Sequence, residues 1–281
     1  MNARNLKLLI LLALGMAACS HLPTPLERRN SADALAAEAG WTHEQIVTDR
    51  FSLRAYLPIA AQKAGTLTVY IEGDGLAWIN PSTPSHDPTP VWPMSLFLAL
   101  RDTAPVAYLA RPCQYVDAEQ HECAQKYWTS HRFSREVIDA SNQAIDQLKQ
   151  RFGARAVILV GYSGGGAVAA LAAAERRDVA QLITVAGNLD HQAWTQAHHL
   201  VPLSASLNPA DAWRQLEAVP QLHFVGGKDH VVEASVLDSY AARFPEARRP
   251  RIVFIPDFDH VCCWAERWPV LVPFRSSGIA E

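Results

Sequence analysis

Gly161-Tyr162-Ser163-Gly164-Gly165 follows the apolar run Ala156-Val157-Ile158-Leu159-Val160 and precedes an Ala-rich stretch, Ala167 to Ala174. That order reads as strand, tight turn, helix, with a serine at the apex. A serine hydroxyl is a weak nucleophile until a sharp turn lifts it clear of its neighbours and a base sits beside it. Glycines two before and two after Ser163 leave room for such a turn. The pentapeptide alone is a frequent pattern; its place between a buried strand and a helix gives it weight. Two later apolar runs end in groups that could complete a proton relay. Leu222-His223-Phe224-Val225 leads into Gly226-Gly227-Lys228-Asp229-His230, and Ile252-Val253-Phe254-Ile255 leads into Pro256-Asp257-Phe258-Asp259-His260. His260 would take the Ser163 proton and later protonate the leaving group, while Asp229 would fix the imidazole tautomer and stabilise its charged form. Asp257 and Asp259 lie nearer to His260 along the chain, and His230 adjoins Asp229, so rivals exist. Asp229 is preferred because the orienting acid normally comes from a separate strand end.

The elements that must position these groups are legible as short apolar runs between helical patterns. Ser31 to Ala39 is expected to be a short helix, and Ile46 to Leu57 a hairpin turning at Asp49-Arg50. Leu67-Thr68-Val69-Tyr70-Ile71 is a buried strand, followed by a Pro-rich loop from Trp78 to Pro93 and a helix from Met94 to Leu100. Val106 to Ala110 is the next strand. Ser134 to Phe152 carries Val137, Ile138, Ala144, Ile145 and Leu148 at helical spacing, with Ser134 as N-cap and Gly153 as stop. Strands follow at 156–160, 182–186, 222–225 and 252–255. Short continuous apolar strands alternating with helices imply a mostly parallel sheet covered on both faces, with active groups at the C-terminal strand ends. No repeat, G-x-G-x-x-G or Walker-type loop is visible, and no cofactor is expected.

The order Ser…Asp…His, each just past a strand, resembles the α/β-hydrolase superfamily over about residues 45–275. More narrowly, the chain resembles a group of proteobacterial lipoprotein hydrolases. That likeness rests on Glu72-Gly73-Asp74-Gly75-Leu76-Ala77-Trp78, Arg111-Pro112-Cys113-Gln114-Tyr115 and Asp259-His260-Val261-Cys262-Cys263-Trp264. The resemblance implies an α/β-hydrolase fold, a mostly parallel central sheet with helices on both faces. The insert Gly187 to Gln221 is short, so the cap is expected to be small or absent and the site open. An oxyanion needs donors already in place. One would be the Gly164 N–H. The other should come from the loop after strand 67–71, where Asp74 is the first choice, ahead of Gly73 and Gly75. A carboxylate beside a developing oxyanion would be unhelpful, so the Asp74 side chain is expected to face away. Trp78, Trp92, Tyr115, Trp128 and Trp264 lie in loops expected near the same face and could wall the pocket.

Three function classes remain open. The first is a serine hydrolase acting on an ester, thioester or amide of a small acyl substrate through an acyl-enzyme, with esterase as the default. The second is a non-catalytic envelope binding protein that keeps the fold. The third is an acyltransferase with the same triad, which product analysis with a competing alcohol would separate. Dehalogenase and epoxide hydrolase chemistry are disfavoured because those families place Asp where Ser163 stands.

The chain has 281 residues, 49% of them hydrophobic, enough for one large domain with a substantial core. Its net charge of −3, from 25 basic and 28 acidic residues, includes no basic stripe, so nucleic acid is not an expected partner. Met1 to Ala18 has a basic start (Arg4, Lys7) and an apolar core too short to span a membrane, which is the outline of a secretory signal. Met16-Ala17-Ala18-Cys19 resembles the bacterial lipobox, which implies a lipid on Cys19 and a membrane tether. By likeness to lipoprotein sorting, Ser20 in place of Asp favours the outer membrane, facing the periplasm. Residues 19–40 would be tether and short helix, and 41–281 the catalytic domain. Four cysteines remain. Cys113 and Cys123 bracket a short polar loop and are the first candidate for a disulfide. Cys262 and Cys263 could form a vicinal bridge, stay free, or cross-link to the other loop. No C-x-x-C or H-x-x-H spacing supports a metal site. The oligomeric state has no signature.

Overall fold

The computed structural model describes residues 22–60, 63–117 and 122–272. The signal segment 1–18 and Cys19 lie outside them. Helix α1 (Pro25–Glu38) opens the fold and begins earlier than Ser31. The reason is a capping box: the Thr24 hydroxyl accepts the Glu27 N–H at 3.2 Å, and the Glu27 carboxylate accepts the Thr24 N–H at 2.7 Å, with Pro25 in the first turn.

Strands β1 (Trp41–Val47) and β2 (Ser52–Pro58) form the expected hairpin. Strand β3 (Thr66–Ile71) follows, then a small hairpin of β4 (Trp78–Asn80) and β5 (Thr83–Pro84) inside the Pro-rich loop, helix α2 (Met94–Ala99) and β6 (Val106–Leu109). Helix α3 (Arg135–Phe152) buries Val137, Ile138, Ala144, Ile145 and Leu148, the stripe its period predicts. It ends at Gly153, whose φ of 61° is the left-handed C-cap that glycine adopts without a steric cost. Ser134 occupies the N-cap position, but its side chain makes no capping bond. Strand β7 (Ala156–Tyr162) runs into helix α4 (Gly164–Glu175), followed by β8 (Val179–Val185), α5 (His191–Ala197) and α6 (Trp213–Leu216). The chain then forms β9 (Gln221–Gly226), α7 (Ala234–Ala241), β10 (Arg251–Ile255) and α8 (Trp264–Leu271).

Eight strands form one sheet in the order β1-β2-β6-β3-β7-β8-β9-β10. Pairing is parallel from β6 to β10; only β2, antiparallel to both β1 and β6, runs against the rest. One core layer packs α3, α4 and α7 against one face, and a second packs α1, α2 and α8 against the other. Covered on both faces, the central strands bury apolar side chains in both directions, which explains their continuous apolar runs. The parallel strands therefore deliver their C-terminal ends, and the loops after β3, β7, β9 and β10, to one edge of the sheet.

Candidate active site

Ser163 sits between β7 and α4 with φ 52° and ψ −123°, a backbone conformation that non-glycine residues rarely adopt. Two glycines make this turn possible. A Cβ on Gly161 would lie 2.3 Å from the Gly165 carbonyl oxygen, and one on Gly165 would lie 2.3 Å from that of Ile71. A side chain at Gly161 would push the start of α4 off β7, and one at Gly165 would push it off β3. The helix thus starts directly against the sheet, and Ser163 stands at the strand end.

His260 and Asp229 meet it there. The Asp229 carboxylate accepts the Val231 and Val232 N–H groups through Oδ1, at 2.8 and 2.9 Å, and lies 2.8 Å from His260 Nδ1 through Oδ2. A carboxylate only accepts, so Nδ1 must carry the imidazole proton. Nε2 is then the acceptor, 3.0 Å from the Ser163 hydroxyl. The Asp229 side chain is fully shielded and that of His260 is 14% exposed, so the hydrogen-bonded row is dry at Asp229 and open towards Ser163.

The His260 loop is fixed from several sides. The Tyr162 hydroxyl donates to the His260 carbonyl at 3.0 Å, and Trp264 Nε1 donates to the Asp259 carbonyl at 3.0 Å. The Asp259 carboxylate accepts the N–H groups of Cys262 and Val261, which hold it below the ordinary carboxylate range. Asp259 therefore turns the loop rather than orienting the imidazole. Asp257 pairs with Lys228 at 3.2 Å, and His230 is exposed. Of the rival groups, only Asp229 contacts His260 through its side chain.

The loop after β3 carries the second feature. The Gly73 N–H is taken by the Glu72 carboxylate at 2.9 Å, which removes Gly73 from the donor candidates. Neither the Asp74 nor the Gly164 N–H has an acceptor among the described residues. The Asp74 side chain does not turn away from the turn at Ser163, contrary to the expectation from charge. A Cβ on Gly164 would lie 2.1 Å from Asp74 Oδ1, so the carboxylate rests against the Gly164 backbone. The charge is answered instead by two arginines: Arg111 Nη1 binds Oδ1 at 3.0 Å and Arg132 Nη1 binds Oδ2 at 2.6 Å. Burial alone would raise the Asp74 carboxyl, but Arg132 and Arg111 outweigh it and hold it below its ordinary value. Two guanidiniums and one carboxylate leave a net positive charge beside the Gly164 N–H.

Sequence reasoning missed these arginines as site residues. Arg111 stood in a segment quoted for its family likeness, but neither residue carries a local signal, because each is far from Asp74 along the chain. Glu72 likewise carries no sequence signal beyond its place in the loop. It is completely buried, and burial pushes its carboxyl up to about 7 against the opposing Gly73 and Ser95 N–H donors.

No family model matches the chain, and no curated protein matches it in sequence. Solved structures do match it in shape. Est1E from Butyrivibrio proteoclasticus superposes with a TM-score of 0.59 at 17% identity, covering 85% of this chain and 99% of that one. An esterase of Pyrococcus furiosus gives 0.59 at 14% identity, covering 87% and 95%. The 2,6-dihydroxy-pseudo-oxynicotine hydrolase gives 0.61 at 18% identity, covering 91% and 73%. The fold is that of the α/β-hydrolases. Identities this low speak for the fold alone.

That site opens into a cavity of about 900 Å³. Apolar side chains dominate its walls, and Ser163, His260, Asp74 and Gly164 lie on it. The segment between β8 and β9 acts as a small cap, supplying Trp194 and Leu200 to Leu203. Of the five aromatic residues expected at the pocket, Trp78 and Trp92 line it. Tyr115, Trp128 and Trp264 are buried in the packing around it.

Cys113 and Cys123 are joined, and so are the neighbours Cys262 and Cys263, which are linked by a cis peptide bond. Neither cysteine of the first bridge lines the cavity. That bridge closes the loop from which Gln114 donates to the Gly73 carbonyl at 2.9 Å, and Arg111, which reaches Asp74, lies two residues before it. It therefore braces the Glu72–Gly75 segment.

Proposed function

We propose that the protein is a serine hydrolase that cleaves a carboxylic ester through an acyl-enzyme. The observation that carries this reading is the continuous chain from Ser163 Oγ to His260 Nε2 at 3.0 Å and from His260 Nδ1 to Asp229 Oδ2 at 2.8 Å. Ser163 Oγ attacks the ester carbonyl carbon while His260 Nε2 takes its proton. The carbonyl oxygen becomes an oxyanion, and the Asp74 and Gly164 N–H groups donate to it. The tetrahedral species collapses as His260 returns the proton to the departing alkoxide, which leaves as the alcohol. Water then attacks the acyl-enzyme, again losing a proton to His260, and releases the acid and free Ser163. Asp229 holds the Nδ1–H tautomer throughout and stabilises the transient imidazolium.

The lipobox-like segment supports a second part of the proposal: Cys19 carries a lipid that tethers the enzyme to a bacterial envelope membrane, probed by palmitate labelling that Cys19→Ser abolishes. Among the described residues, no helix is long and apolar enough to cross a membrane.

A fluorophosphonate probe should label Ser163 in the folded chain, and acyl esters should be turned over. Ser163→Ala should abolish labelling and lower kcat by at least about 10⁴-fold. Folded wild-type protein that neither takes the probe nor cleaves any ester of a short- to long-chain panel would remove the catalytic reading. If an added alcohol collects the acyl group in place of water, the same triad serves transfer rather than hydrolysis.

A further inference from the structure

Six residues that line the cavity are also exposed and apolar: Trp78, Val91, Trp92, Leu200, Val201 and Val231. They come from four separate segments: β4, the loop before α2, the loop after α5, and the loop after Asp229. Val201 is 84% exposed and Trp92 is 57% exposed. Single exposed apolar side chains are ordinary on a protein surface, whereas a ring of them around one opening is not. The stretches that carry them, Trp78-Ile79-Asn80, Pro90-Val91-Trp92-Pro93, Leu200-Val201-Pro202-Leu203 and Val231-Val232, hold no charged side chain.

The start of helix α1 lies beside this ring. Arg28, in the first turn of α1, donates to the Thr89 carbonyl and pairs with Asp87 at 3.5 Å. Thr89 directly precedes Pro90, a residue of the cavity wall. The first turn of α1 is therefore bolted to the loop that carries Val91 and Trp92. Six residue steps separate Cys19 from Pro25, which span at most about 20 Å. Leu22 and Leu26, on the way to Arg28, are themselves exposed. A lipid on Cys19 would hold the bilayer within reach of the ring.

We propose that this ring is a membrane-docking rim, and that the enzyme draws the long acyl chain of an amphiphilic ester from the lipid surface into the cavity. The docking part rests on the Cys19 tether, and the substrate part on the ester-hydrolase reading. Indole rings at the rim suit the boundary between headgroups and acyl chains, and the apolar cavity behind them accepts a hydrocarbon without exposing it to water. The ester bond would then stop at Ser163, with its headgroup outside.

The test uses the lipidated full chain in phosphatidylcholine vesicles carrying brominated acyl chains, which quench indoles inserted among them. The wild type should be quenched, and so should Ser163→Ala, which separates docking from turnover. Trp78→Leu combined with Trp92→Leu should lose most of the quenching while melting at a wild-type temperature. Ile79→Asp, which places a charge beside Trp78, should lower the ratio of turnover on a vesicle-borne long-chain ester to turnover on a soluble short ester about tenfold. No quenching of the wild type, or undiminished quenching in the double variant, would overturn the rim. A wild-type enzyme that prefers short soluble esters in the presence of vesicles would overturn the substrate class.

Discussion

Asp74 shows how a single residue can be both useful and awkward. In the proposed reaction its N–H would donate to the oxyanion, yet its own carboxylate lies against Gly164, where negative charge would oppose that reaction. Arg111 and Arg132 resolve the conflict by neutralising the carboxylate and by holding the loop from its side chain. Arg132 is tied down in turn, with Nε donating to the Thr129 carbonyl at 2.8 Å. Under the proposed mechanism, Arg132 would position the Asp74 N–H on the neighbouring loop. Arg132→Met should lower kcat by about 10–10²-fold, part of what losing an oxyanion donor costs, with a smaller effect on KM. It should also cost about 3 kcal/mol of stability, because the Asp74 carboxylate loses one of two buried partners. Arg132→Lys should recover part of kcat by restoring charge without the forked geometry. A Met variant that changes KM alone would show that Arg132 contacts substrate and does not position the loop. At this scale the sequence spoke clearly for Ser163, Asp229 and His260, because each follows an apolar strand and the strands announce themselves. It was silent on Arg111 and Arg132, because a buried arginine looks like a surface one until its carboxylate, remote along the chain, is located.

The elements divide between those that announce themselves by pattern and those set by tertiary contact. The central strands and α3 were legible from continuous apolar runs and from a 3.6-residue stripe. Helix α1 starts earlier than its apolar pattern suggests, although Thr24-Pro25 with Glu27 was a readable capping signal. Helices α7 and α8 were not anticipated. Helix α8 is placed by packing: Trp264 and Trp268 are buried, and Trp268 Nε1 donates at 2.8 Å to the hydroxyl of Tyr70, which projects from β3 into the same core layer. The Cys113–Cys123 loop is a third kind of element, without regular structure and held by a covalent closure. Its ten-residue separation gives it the modest entropic leverage of a short loop, about 2–3 kcal/mol. Its position gives it more influence on chemistry than that figure suggests, since Arg111 and Gln114 reach the Glu72–Gly75 segment from its base. Replacing Cys113 and Cys123 together by Ser should therefore lower kcat severalfold under conditions where circular dichroism still reports a folded chain. Kinetics identical to wild type in that variant would show that Arg111 and Gln114 need no brace.

On the scale of the whole molecule, the parallel sheet explains why one edge collects every reactive group. The loops after β3, β7, β9 and β10 all leave the sheet on that side, so Ser163, Asp229, His260 and the Asp74 loop converge without a long excursion of the chain. Packing helices over both faces also buries whatever lies under that edge, and Glu72 is the clearest consequence. Its carboxyl is completely buried beneath the Asp74 loop and is pushed up to about 7 from an ordinary value of 4.5. Between those two values the folded chain keeps a proton that the unfolded chain releases. Folding is thus linked to proton uptake in that window, and Glu72 makes stability fall as pH rises from about 4.5 to about 7, with no further change from this group above it. A displacement of that size corresponds to a difference on the order of 3 kcal/mol. Glu72→Gln keeps an oxygen to accept the Gly73 N–H but cannot ionise, so it should escape the penalty. Thermal melts of both proteins from pH 5 to pH 8 should diverge, with the wild type losing roughly 5–10 °C relative to the variant across that range. Parallel melting curves would mean that Glu72 releases its proton as readily in the folded chain as in the unfolded one, and that water reaches it under the loop.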